Sequence, residues 1–102
     1  MVRKSKGVRP ASRERPARKI VVERVQTGVR MEKRILKVLK GLAEYHDISL
    51  GDLLEGIVLH VFDGKLPLGE ESLKCVSRLR KVYGLDLNAQ ASHRLVDAKG
   101  TR

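Results

Sequence analysis

Tryptophan is absent from this 102-residue chain, and aromatic residues make up only 3% of it. That scarcity argues against a surface that grips single-stranded nucleic acid by stacking bases on aromatic rings. The one cysteine, Cys75, excludes an intrachain disulfide and suits a reducing compartment. No run of about 18 apolar residues occurs, so no membrane-spanning helix is expected. The N-terminus is basic but lacks the apolar stretch of a secretion signal. Together these gaps predict a soluble cytoplasmic protein with room for one domain and a modest core. His46, His60 and His93 lack ligand-like spacing with one another or with Cys75, so no metal or other cofactor is expected. No phosphate-cradling glycine loop and no nucleophile–base arrangement stands out, so the chain is not expected to be an enzyme.

Negative charge is also in short supply. Lys and Arg number 22 against 12 Asp and Glu, for a net charge of +10 and an isoelectric point near 10.3. Such a balance favours an anionic partner, either nucleic acid or a membrane surface. The surplus is segregated. Residues 1–20 carry Arg3, Lys4, Lys6, Arg9, Arg13, Arg15, Arg18 and Lys19 against Glu14 alone. Residues 41–70 reverse the sign, with Glu44, Asp47, Asp52, Glu55, Asp63 and Glu70 against Lys65. One end is suited to a polyanion and the middle to something else.

Residues 1–19 mix these bases with Pro10, Pro16, Ser and Gly and hold little apolar weight, which predicts a disordered basic arm, either a solubilising tail or a DNA-backbone contact. After Ile20-Val21-Val22 comes the one strictly alternating stretch, Arg24-Val25-Gln26-Thr27-Gly28-Val29-Arg30-Met31. Arg24, Gln26, Gly28 and Arg30 share one face, and Val25, Thr27, Val29 and Met31 share the other. A period of two predicts a half-buried β-strand. A lone strand can satisfy neither its edges nor its apolar face, so its neighbour must come from a second copy of the chain. A strand displaying arginine and glutamine across a dimer, in a basic protein, points toward reading DNA.

Helical patterns follow at once. Glu32 opens a segment with Ile35, Val38, Leu39 and Leu42 at helical spacing, interrupted after His46 by Asp47 and Ile48. Lys33, Arg34, Lys37 and Lys40 read as its solvated face, with contact to DNA phosphates as the alternative. Ser49 caps a second helix carrying Leu50, Leu53, Leu54, Ile57, Val58, Val61 and Phe62, with Asp52 as the acidic half of a capping box. Gly56 in its interior fits either a tight helix crossing or a tolerated defect. Asp63-Gly64 and Pro67 end it. A third helix is predicted from Glu70 to Tyr83, stopped by Gly84, and a short fourth from Asn88 to Val96.

The order of strand, helix, short turn and helix resembles the ribbon-helix-helix DNA-binding proteins, the family of the Arc and methionine repressors. The likeness covers about residues 22–62. It rests on the alternation from Val25 to Met31, on Ile35-Leu36-Lys37-Val38-Leu39 leading to Leu42-Ala43-Glu44, and on Ser49 followed by Leu53-Leu54. The stretch Leu59-His60-Val61-Phe62-Asp63-Gly64-Lys65-Leu66-Pro67 is similar to its counterpart in methionine repressors. The resemblance implies a mainly α fold in which one N-terminal strand per chain pairs across an intertwined homodimer. The chain then divides into a disordered arm (1–19), a ribbon-helix-helix domain (20–64), a C-terminal helical extension (65–96) and a flexible tail (97–102).

The family's mechanism places the two-stranded ribbon in the major groove of double-stranded DNA. Its base-facing positions fall on Gln26, Gly28 and Arg30, with Arg24 continuing the face. Its phosphate clamp falls on the backbone N–H groups of Ser49, Leu50 and Gly51 at the start of the second helix. Gly28 departs from the pattern, because the central reading position normally carries a side chain. The implied function is that of a transcriptional regulator, a repressor working as a homodimer or a pair of dimers at the nucleoid. Two alternatives compete: an antitoxin whose region 68–102 masks a toxin or another protein, and a nonspecific nucleic-acid-coating protein.

Overall fold

The computed structural model describes residues 19–98. The basic residues up to Arg18 and the final four residues lie outside that range, and with them almost all of the expected arm and tail. The described part is mainly helical. It has three helices, α1 (Lys33–His46), α2 (Leu50–Phe62) and α3 (Glu70–Tyr83), and a single 3₁₀ turn at Ala89–Ala91.

Each helix starts and stops where local chemistry dictates. The Glu32 carboxylate accepts from the backbone N–H groups of Arg34 and Ile35, both at 2.9 Å, satisfying donors that a helix start leaves orphaned. Those hydrogen bonds, the one from Ile35 first, and the neighbouring Arg34 guanidinium hold the Glu32 carboxyl below its ordinary range. Ser49 Oγ accepts from the Asp52 N–H at 3.1 Å and opens α2. No side chain caps α3 at Gly69, but Glu70 and Glu71 lie in its first turn and Arg80 and Lys81 in its last, as the helix dipole favours.

Each of the three helices is followed within two residues by a left-handed residue, and the next N–H reaches back five positions. Ile48 donates to Ala43 O at 3.0 Å, Lys65 to His60 O at 2.8 Å and Leu85 to Arg80 O at 2.8 Å. The left-handed residues are Asp47, Gly64 and Gly84, with φ of 58°, 72° and 66°. Glycine adopts this conformation without a Cβ penalty, and Asp tolerates it.

The main packing joins α1 to α3; the contact between α1 and α2 is narrower. The two principal partners run antiparallel. His46 Nε2 meets Ser72 Oγ at 2.7 Å at one end, and Arg34 Nη1 donates to Gly84 O at 2.9 Å at the other. Between these pins lies the core of Leu42, Ala43, Leu53 and Cys75, flanked by Leu39, Ile57, Leu68, Val76 and Leu79.

The close helix crossing is at Gly41, not Gly56. A Cβ at position 41 would stand 2.8 and 2.9 Å from the Leu79 methyl carbons, whereas one at position 56 would meet nothing within 4 Å. The expectation of a tight contact at Gly56 is thus corrected. Gly41→Val is expected to push Leu79 off its seat and destabilise the fold by about 1–3 kcal/mol. Urea unfolding would show it as a lowered midpoint. An unchanged midpoint would mean that α3 does not press on α1 there.

Two further expectations differ from the structure. Residues 19–32 carry no regular secondary structure, and no strand occurs among the described residues. The single chain offers the alternating stretch no neighbouring edge, and a ladder cannot form without one. The helix expected over 88–96 shrinks to the 3₁₀ turn, capped by Asn88 Oδ1 accepting from Gln90 N–H at 3.0 Å. His93, at φ 68°, turns the chain out of any helical continuation.

Candidate nucleic-acid interface

The stretch from Arg24 to Met31 is exposed throughout. Its apolar members are exposed along with its polar ones: Val25 is 79% and Val29 76% accessible. Gln26 stands in solvent. Gly28 has no positive φ, and a Cβ built on it meets nothing within 4 Å. Nothing in the chain's own packing therefore requires glycine at this central position.

The two arginines of the stretch are engaged. Arg24 forms a fork with Glu55 on α2: Nε donates to Oε2 and Nη2 to Oε1, each at 2.8 Å. The hydrogen bonds from Arg24, more than its charge, lower the Glu55 carboxyl from its usual range. The same bonds raise the Arg24 guanidinium further, with Asp52 adding a smaller attraction. Arg30 pairs through Nη2 with the half-buried Asp97 near the chain's end. Both reading candidates are thus held by carboxylates of the same chain.

At the start of α2, Ser49 and Gly51 are exposed and Leu50 is half-buried. The Asp52 N–H is already taken by Ser49 Oγ, and the Leu53 N–H by Ser49 O. The N–H groups of Leu50 and Gly51 precede these at the positive end of the helix dipole, the place at which an anion binds a helix. Asp52 in the same turn adds a negative charge that competes with such an anion.

The basic face assigned to α1 proves less available. Arg34 bonds Glu32, Gly84 O and Asp86, so it serves as a clasp between the helix start and the chain beyond α3. Lys37 Nζ lies 5.6 Å from the centre of the Tyr83 ring, within range of a cation–π contact. Lys33 and Lys40 remain exposed. Sequence reasoning misses Glu55, Asp97 and Asp86 as partners of these cations. Spacings of 31, 67 and 52 residues give no local signal that could reveal them.

Comparison with protein-family models, with curated proteins and with solved structures returned no match for this chain. No helix among the described residues is long and apolar enough to cross a membrane.

Proposed function

We propose that the chain is a homodimeric, sequence-selective DNA-binding regulator of the ribbon-helix-helix type. Residues 24–31 of two copies pair into an antiparallel ribbon that enters the major groove. The observation that carries this reading is the alternating stretch itself, exposed on both its apolar and polar sides and lacking any neighbouring strand among the described residues. Arginine reads guanine O6 and N7, and glutamine reads adenine N6 and N7, so Arg24, Gln26 and Arg30 supply the matching donors and acceptors.

The distribution of apolar surface supports a second copy. Val38, Leu42, Ala43, Leu53 and Cys75 are the buried hydrophobic residues among those described. Val58, Leu59, Val61 and Phe62 on α2 stay exposed, Phe62 at 77%. Exposed apolar surface on this scale marks an interaction face in a water-soluble protein. In the proposed dimer, it and the Val25 and Val29 side chains are covered together. The ribbon and its supporting core therefore form in one step, and folding is coupled to association.

The decisive experiment is selection of duplexes from a random pool, followed by binding to the selected and to random sequences at matched salt. The expected result is a preferred, two-fold-symmetric site bound on the order of 10³-fold or more tightly than random duplex. A ratio near one rejects sequence-selective regulation and leaves nonspecific coating. Within the region 68–102 that the antitoxin reading invokes, α3 packs against α1.

A further inference from the structure

We propose that Glu55 is a positioning residue for base recognition, holding one edge of the Arg24 guanidinium so that the other edge faces a guanine. The inference rests on the DNA-binding reading above and extends it to a residue outside the strand. A guanidinium is planar and carries five N–H donors in a fixed fork. The carboxylate takes one hydrogen from Nε and one from Nη2. Of the three hydrogens left, one on Nη1 and the second on Nη2 lie parallel and form the end edge of the group, while the other Nη1 hydrogen points back toward Cδ. Two parallel donors on that edge match guanine O6 and N7. The pair therefore does not consume the edge that reads a base.

The setting of the pair favours positioning over stability. The side chains are 66% and 46% exposed, and ion pairs in such surroundings contribute little to folding. A bidentate fork nevertheless fixes the plane of a side chain that otherwise samples many rotamers. Glu55 sits on α2, about one helical turn beyond the start whose N–H groups are the candidate phosphate clamp. Bonding Arg24 to that helix sets the strand's first reading residue relative to the clamp. Arg30 differs. It is held by one contact from Nη2 to Asp97 and not by a fork through Nε and Nη2, so the plane of its guanidinium is not fixed in the same way.

The test uses the full chain, the duplex that it selects from a random pool, and single-base-pair variants of that duplex. Glu55→Ala is expected to weaken binding to the preferred duplex about tenfold, the scale of one bidentate base contact. Affinity for random duplex should rise, because a negative charge has been removed. The reduced discrimination should fall on the same base pair that Arg24→Ala affects, and Glu55→Ala should change no discrimination in an Arg24→Ala background. Glu55→Gln keeps one acceptor oxygen and should restore part of the preference, with thermal stability unchanged in every variant. If Glu55→Ala strengthens preferred and random binding alike, the carboxylate is a mask and the inference is overturned. Unaltered discrimination overturns it equally, with the DNA-binding reading intact. If the unsubstituted chain selects no sequence, both fall together.

Discussion

Replacing Leu42 by Ala is expected to destabilise the protein by about 2–5 kcal/mol, the range for truncating a buried leucine that leaves a cavity. Leu42 is only 1% exposed and is the one large side chain that is fully buried among the described residues. It lies on α1 among Ala43, Leu53 and Cys75, so its removal loosens all three helices at once. Stabilities of small domains total about 5–15 kcal/mol, and a loss of this size consumes much of that margin. Urea unfolding followed by circular dichroism would measure it. Because folding is proposed to be coupled to dimerisation, the midpoint of the unsubstituted chain should also rise with protein concentration. A Leu42→Ala loss below about 1 kcal/mol, smaller than any in a buried-leucine series, would mean that this core is not the one that holds the fold.

The second large effect concerns DNA. If six or more phosphates are contacted by the dimer, affinity should fall by about 10³-fold or more between 50 and 200 mM salt. Arg30→Ala should lower affinity for the selected duplex by about 1–3 kcal/mol and relax preference at one base pair in each half-site. The salt slope should change little if Arg30 reads a base, and should drop by about one unit for each phosphate that Arg30 neutralises. Fluorescence anisotropy over a salt series separates these outcomes. Uniform weakening across all sequences would reassign Arg30 to the backbone. Affinity indifferent to salt would reject DNA as the partner of so basic a chain.

Much of the helical framework is legible in the sequence because its signals are short-ranged. Ser49 three residues before Asp52, Asp63-Gly64 before Pro67, and Gly84 after a last turn holding Arg80 and Lys81 are pairings within a turn or two. Glu32 marks the opening of α1 by its position alone, although its role as a cap with both N–H groups on its carboxylate emerges only from the structure. Gly56 misleads for an instructive reason. A glycine inside a strong apolar pattern suggests close approach, but whether anything approaches depends on which helix lies opposite. Only the register of α3 on α1 puts Leu79 over Gly41.

The cationic residues show the same divide. Arg34 and Lys37 read as solvated because no carboxylate stands three or four residues from either of them on α1. Folding brings Gly84, Asp86 and the Tyr83 ring to them from α3 and the chain beyond it. Alternation alone points to Arg24 and Arg30, and their exposure suits that choice. That each is already held by a carboxylate of its own chain is not inferable from the pattern, and it changes what a variant at either position is expected to do.

By itself the sequence determined three helices, their ends, their apolar stripes and one alternating segment with no complement in the chain. Those properties arise from caps, left-handed stops and periodicity, all of which act over about five residues or fewer. The tertiary structure alone decided that α3 lies antiparallel on α1, that Gly41 is the crossing point, and that Glu55 and Asp97 hold the arginines. These contacts join residues 26 to 67 positions apart. They exist only after burial of Leu42 and its neighbours has overcome the entropy of closing such long loops.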